Sequence, residues 1–122
     1  MLIGIDIIEI ERVKSAVERT PRFLERVFTS EEVDYCLKKA NPYPSLAVRF
    51  AAKEALRKLH PALAAGVRFH DMEVLREDDG RPRVLLHGEA ERRCQAAGIR
   101  DIAISLSHSR DQAVATVIAN KG

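Results

Sequence analysis

The chain has 122 residues, 46% hydrophobic and 31% charged, with a formal net charge of only +2. Such a composition describes one soluble globular domain; it excludes a disordered chain and leaves too little length for two cores. No apolar run nears the roughly 18 residues of a membrane span, no basic segment precedes the N-terminal hydrophobic stretch, and the two cysteines lack metal-ligand spacing, so the expectation is a cytoplasmic protein with reduced thiols.

Leu2 to Ile8 is rich in β-branched residues and reads as a strand buried on both faces. Its period of two puts Ile3, Ile5 and Ile7 on one side and Gly4, Asp6 and Ile8 on the other. An ionised Asp6 there needs a cation or several donors, or else caps the next helix. Gly4 leaves room beside it for something to approach. Glu9 to Arg19 reads as a helix with Ile10, Val13 and Val17 as its apolar row. Thr20 and Pro21 restart the chain as a cap and first position for a short helix from Arg22 to Phe28. Arg12, Arg19, Arg22 and Arg26 gather here around Phe23. They are either solvated charges or a docking surface for an acidic partner.

Thr29-Ser30-Glu31-Glu32 forms a capping box that opens a helix through Val33, Leu37 and Lys39. After the rigid Asn41-Pro42-Tyr43-Pro44 loop, Ser45 is the expected cap of a long central helix that Pro61 ends. Val48, Ala52, Ala55 and Leu59 share one face of it. Arg49, Lys53 and Arg57, spaced by four, form a cationic ridge away from that stripe, with Glu54 and Phe50 beside it. A carboxylate next to three cations suits a metal and a polyphosphate; the alternative is a solvated face with a Glu54–Lys58 pair.

Val67 to Leu75 reads as a strand, Asp78-Asp79-Gly80 as a turn, and Arg83 to Leu86, after Pro82, as an edge strand. Gly88 to Ala97 reads as a helix closed by Gly98. Asp101 to Ser107 alternates strictly, with Ile102, Ile104 and Leu106 pointing in, and a last strand spans Ala113 to Ala119. His60, His70 and His87 are isolated. His108 ends a strand beside Ser107, Ser109 and Arg110, where ligand groups gather, although a turn histidine bonded to local backbone is equally consistent. There is no Gly-x-Ser-x-Gly elbow for a hydrolase.

Three blocks then stand out together: Gly4-Ile5-Asp6-Ile7-Ile8-Glu9-Ile10 with Arg12, Arg49-Phe50-Ala51-Ala52-Lys53-Glu54-Ala55, and Ser105-Leu106-Ser107-His108-Ser109. In order and separation they resemble the signature blocks of holo-acyl-carrier-protein synthases, the short bacterial-type 4′-phosphopantetheinyl transferases. The resemblance implies transfer of phosphopantetheine from coenzyme A to a serine of acyl carrier protein, with release of adenosine 3′,5′-bisphosphate. It implies Asp6 and Glu54 as ligands of Mg²⁺, with Mn²⁺ as a substitute, and Lys53 beside them in catalysis. Arg49, Lys53, Lys58 and His108 would hold coenzyme A, and Arg12, Arg22, Phe23 and Arg26 would grip the carrier protein. A homotrimer with sites between subunits is also implied, and Phe50 on the polar side of its helix is compatible with that.

The sequence departs from the family in one place. A Gly-Thr-Gly turn commonly follows the Lys-Glu-Ala helix, and here His60-Pro61-Ala62-Leu63-Ala64-Ala65-Gly66 replaces it. The expected fold is α+β, a small mainly antiparallel sheet packed on the long helix, in a single domain over residues 1–122. A basic module binding nucleic acid is the chief rival, and it lacks stacking positions: there is no Trp, and Phe and Tyr number four and two. The other rival is an inactive relative kept as an interaction protein.

Overall fold

The computed structural model describes residues 1–122. In chain order it contains β1 (Leu2–Glu9), α1 (Ile10–Arg19), α2 (Phe23–Val27), α3 (Ser30–Leu37), α4 (Tyr43–Leu59), β2 (Met72–Arg76), β3 (Pro82–Leu86), α5 (Gly88–Ala97), β4 (Ile99–His108) and β5 (Gln112–Lys121). Single 3₁₀ turns at Pro61–Leu63 and Phe69–Asp71 link α4 to β2. β1, β5 and β4 form an antiparallel sheet in that order, and β2 and β3 form a separate antiparallel ribbon. The expected α+β architecture is therefore present, with α4 as its axis.

The sheet lies on α4 because α4 is rich in alanine. Ala47, Ala51, Ala52 and Ala55 are all fully buried, and their small side chains let strands and helices approach the axis closely. Gly4 takes this furthest: a Cβ at that position would lie 2.1 Å from the Ala55 carbonyl oxygen. What approaches Gly4 is thus helix backbone, not a ligand. Burying Leu46, Leu56 and Leu63 completely adds about 2 kcal/mol each.

Several local expectations are corrected. Because α4 packs against only one face of the sheet, the other side of β1 is bare. Ile3, Ile5 and Ile7 are 65%, 57% and 60% exposed, so β1 is not buried on both faces. α4 begins at Tyr43, with Pro44 in its first turn where no intrahelical N–H is needed, so Ser45 is not its cap. Thr20 closes α1 by donating its N–H to the Ala16 carbonyl, and α2 starts after Arg22 in a left-handed conformation (φ 63°). The stretch expected as one strand from Val67 bends through the Phe69–Asp71 turn before β2 starts at Met72.

Other signals hold. The capping box closes reciprocally, with Thr29 Oγ1 accepting from the Glu32 N–H and Glu32 Oε1 from the Thr29 N–H. Gly98 ends α5 at φ 72°, a conformation that favours glycine. Cys36 and Cys94 are free, buried thiols, and burial pushes both above their ordinary pKa.

Candidate active site

Asp6 faces α4 from the middle of β1 and is half-buried. Lys58 Nζ donates to Asp6 Oδ1 across 2.9 Å and to the Ile5 carbonyl across 3.2 Å. Asp6 therefore has a cation, as a carboxylate on that face requires. Glu54 sits one helical turn before Lys58 and is also half-buried. β1 runs antiparallel to α4: Gly4 lies against Ala55 and Leu59, whereas Ile10, just past the strand, shares an apolar cluster with Leu46, Ala47 and Val48. That direction brings Asp6 toward the turn carrying Glu54. The Glu54–Lys58 surface pair is replaced by Lys58–Asp6.

The cationic ridge is not a ridge. Lys53 is wholly buried; its ammonium donates to Glu32 Oε1 (2.9 Å), the Phe69 carbonyl (3.0 Å) and the Met72 carbonyl, beneath the Phe28 ring. So placed, its ammonium is engaged inside the fold and not on the solvent-facing ridge expected to meet a diphosphate. Desolvation lowers its pKa, and the Glu32 carboxylate opposes that. Arg57 lies over the Phe69 ring at 4.0 Å and donates to the Val67 carbonyl, clamping the connection to β2. α3, β2 and the Phe69–Asp71 turn cover this side of α4, so helical spacing alone misread it.

Arg49 is 4% exposed and donates from Nη1 to the Ser45 carbonyl, while its buried Nε has no partner. It opens onto a cavity of about 250 Å³ shared with His108, Lys39, Tyr35 and Arg76. His108 is exposed, and its Nδ1 lies 3.1 Å from the Ser109 carbonyl. No carboxylate lines this cavity, and Asp6, Glu54 and Lys58 are not among its walls. At about 100° per residue, Arg49 lies ~140° from Glu54 and ~180° from Lys58 around α4. The residues expected to share one site thus form two clusters on different sides of the helix. Tyr35, Lys39 and Arg76 were not among the expected site residues; Tyr35 in the last turn of α3 and Lys39 just past its end stand four apart, which was the available signal.

Burial works to raise the Tyr35 pKa, but hydrogen bonds and charges from Arg76 and Lys39 outweigh it and hold the phenol below its usual value.

Arg12 is exposed on α1. Arg22 and Arg26 line a groove of about 490 Å³ with Glu25, Arg68, Phe69 and His70, and Arg22 is paired to Glu25 at 3.1 Å. Phe23 is not an exposed anchor. It packs against Phe28 and Phe50, whose ring centroids lie 6.3 and 6.1 Å away, and Phe50 meets Phe69 at 5.5 Å. Phe50 is therefore occupied within its own chain and gives no support to subunit contacts. The altered loop after α4 is ordered: His60 Nδ1 accepts from the Ala62 N–H (3.0 Å), Leu63 is buried, and Arg93 donates to the Ala62 and Ala65 carbonyls.

Residues 2–117 match the family model of the 4′-phosphopantetheinyl transferase superfamily, and the chain belongs to that family. A curated holo-acyl-carrier-protein synthase from Moorella thermoacetica is 48% identical over 118 residues, covering 94% of this chain and 90% of the relative. The holo-acyl-carrier-protein synthase of Koribacter versatilis is 44% identical, with 94% of each chain covered. Among solved structures, the ACPS–CoA complex of Chronobacterium ammoniagenes superposes with a TM-score of 0.86 at 29% identity, covering 99% of this chain and 97% of that one. No helix here is long and apolar enough to cross a membrane.

Proposed function

We infer that this chain transfers the 4′-phosphopantetheine group of coenzyme A to a serine of apo acyl carrier protein and releases adenosine 3′,5′-bisphosphate. The observation that carries the reading is Asp6 held by Lys58 beside Glu54 on one side of α4, in a chain whose relatives are holo-acyl-carrier-protein synthases. The serine oxygen forms a new bond to the phosphorus bearing pantetheine while the diphosphate bridge to the nucleotide breaks. Such a displacement asks the protein for in-line positioning and charge neutralisation.

Two carboxylates without sulfur or imidazole suit a hard, oxygen-preferring cation, Mg²⁺ first and Mn²⁺ as a substitute. Asp6 and Glu54 would hold it, and when bound it supplies positive charge to diphosphate oxygens. Lys58 holds Asp6 in place and offers a second cation at the diphosphate. Arg49 and His108 bind the coenzyme from their own cavity.

Because these two clusters lie on different sides of α4, one coenzyme molecule is best served by the Asp6 cluster of one chain and the His108 cavity of a neighbour. A homotrimer with shared sites fits this division. The bare isoleucines of β1, continued by Ile118 of β5 directly opposite Ile3, offer the contact surface. Arg22 and Arg26, with Arg12 nearby in sequence, give the exposed charges for an acidic carrier protein. Incubation with coenzyme A, Mg²⁺ and apo carrier protein tests the function: the carrier should gain the mass of phosphopantetheine. A carrier left unmodified, with every component verified, would overturn it.

A further inference from the structure

The cations of the His108 cavity are arranged around one ring. Tyr35 projects from α3 with Arg49 Cζ 4.7 Å, Lys39 Nζ 5.0 Å and Arg76 Cζ 5.7 Å from its ring centroid. Arg76 Nη1 also donates to the Tyr35 hydroxyl across 2.6 Å, and its Nη2 donates to the Gly80 carbonyl across 3.0 Å. Three like charges on so small a surface repel one another. An aromatic face attracts each of them, and the phenolic oxygen adds an acceptor for one. Arg49 is the most constrained: it is buried, and its Nε donor is unused. A buried guanidinium with a free donor, opening onto a cavity lined by two more cations and no carboxylate, is poised for an anion. Glu31 and Glu32 border an adjoining cleft with Tyr35, Arg49 and Arg76, but Glu32 is already committed to Lys53 and the Val74 N–H.

We propose that Tyr35 is a positioning residue for the coenzyme, setting the spacing of Arg49, Lys39 and Arg76 before any phosphate arrives. The role rests on the transferase reading given above. Tyr35 touches no reacting atom and moves no proton in this role. Its ring keeps the cations gathered around the cavity, so their repulsion and side-chain freedom need not be overcome at binding. Losing it leaves every charge in the chain but unfastens them. The consequence falls on coenzyme affinity and not on the chemical step, and it separates Tyr35 from a residue that merely holds the fold.

The test compares Tyr35→Phe, Tyr35→Leu and Arg76→Gln with the wild type in steady-state kinetics and in calorimetric binding of coenzyme A. Tyr35→Phe keeps the ring and loses the hydroxyl, so KM for coenzyme A should rise about threefold to fivefold. Tyr35→Leu loses the platform as well, and KM should rise roughly twentyfold or more. In both, kcat at saturating coenzyme and KM for carrier protein should stay within about twofold. The calorimetric Kd should rise by the same factors. Tyr35→Phe combined with Arg76→Gln should be no worse than Arg76→Gln alone, because the pair shares one hydrogen bond. An active wild type with KM for coenzyme A unchanged in Tyr35→Leu overturns the positioning role alone. So does an equal loss of kcat and carrier affinity with a lowered Tm, which marks a structural residue. A wild type that neither binds coenzyme A nor modifies the carrier overturns the transferase reading, and this role with it.

Discussion

Lys53 Nζ donates to Glu32 Oε1 across 2.9 Å with both side chains fully buried, joining the middle of α4 to the capping box of α3. Glu32 Oε2 accepts in turn from the Val74 N–H, so one carboxylate ties a helix start, a helix centre and a strand together. Lys53→Met strips the cation from a carboxylate that cannot reach water. The expected cost is about 3–5 kcal/mol, read as a lower urea midpoint. Under conditions where the variant is still folded, kcat should stay within a few-fold of wild type. A variant as stable as wild type but inactive would return Lys53 to the chemistry.

That pair also marks where the sequence stopped being legible. Reading Arg49, Lys53 and Arg57 at intervals of four as a solvent ridge was sound for a helix with one covered face. α4 is instead covered by the sheet, α1, α3 and β2, and nothing local in its sequence distinguishes a buried lysine from an exposed one. The capping box, Gly98 and the alternation of β4 were legible because each is decided within a few residues. The isoleucines of β1 were misread for the opposite reason: an apolar strand looks the same whether its second face meets its own chain or is left bare. Asp6 and Glu54 are candidates from motif and spacing, and the fold puts both on the same side of α4, whereas the cavity around Tyr35 depends on α3 meeting β2 and β4, which spacing cannot express.

Glu73 should carry a pH signature. Burial favours its neutral form, but hydrogen bonds from Thr29 and His87, and the charges of His87 and Lys53, outweigh that and hold its carboxyl below the ordinary value of 4.5. Above that value the stabilisation is fully present. As pH falls through the lower folded value it is lost, because the unfolded chain takes up the proton first. Wild-type urea midpoints should therefore fall below about pH 4.5 more steeply than those of Glu73→Gln. Parallel curves from pH 7 to pH 3 would remove Glu73 from the acid response.

The groove beside α2 should recognise the carrier protein by charge. Arg22→Glu with Arg26→Glu should raise KM for carrier protein at least tenfold while KM for coenzyme A stays within twofold. Wild-type KM for carrier protein should climb with added salt, since exposed charges are screened over about 8–10 Å. Normal carrier binding by the double variant places docking elsewhere.

Ile5 stands 57% exposed at the centre of the bare face of β1. If chains assemble as a trimer through this face, Ile5→Glu should leave only monomers by light scattering and abolish transfer, without lowering the stability of the isolated fold. Mixing inactive Asp6→Ala chains with inactive His108→Ala chains should restore activity after subunit exchange, because some sites then combine an intact Asp6 cluster with an intact His108 cavity. A fully active monomer would refute shared sites.

The last prediction separates Asp6 and Glu54 from purely structural roles. Asp6 is 15% exposed at its side chain and paired to Lys58, which is 56% exposed. If that pair served only stability, Asp6→Asn would lose an ion pair with one end in water, worth at most about 1 kcal/mol, and turnover would persist. If Glu54 were only a helix-surface carboxylate, Glu54→Gln would cost about 0.5 kcal/mol or less. As ligands of a divalent cation, each amide keeps the shape but removes an anionic oxygen donor. The diphosphate would then meet Lys58 without the metal charge it requires. The expected loss in kcat/KM is on the order of a hundredfold, about 2.7 kcal/mol, for each amide. EDTA should abolish wild-type activity, and Mg²⁺ or Mn²⁺ should restore it. Without metal, the Glu54→Gln protein should melt no lower than wild type, because a half-buried charge with no ion-pair partner has been removed. Addition of Mg²⁺ should raise the Tm of wild type alone, since only a protein that binds the ion gains stability from it. Near wild-type turnover in either amide, or an equal Mg²⁺ shift in all three proteins, would return that carboxylate to the fold.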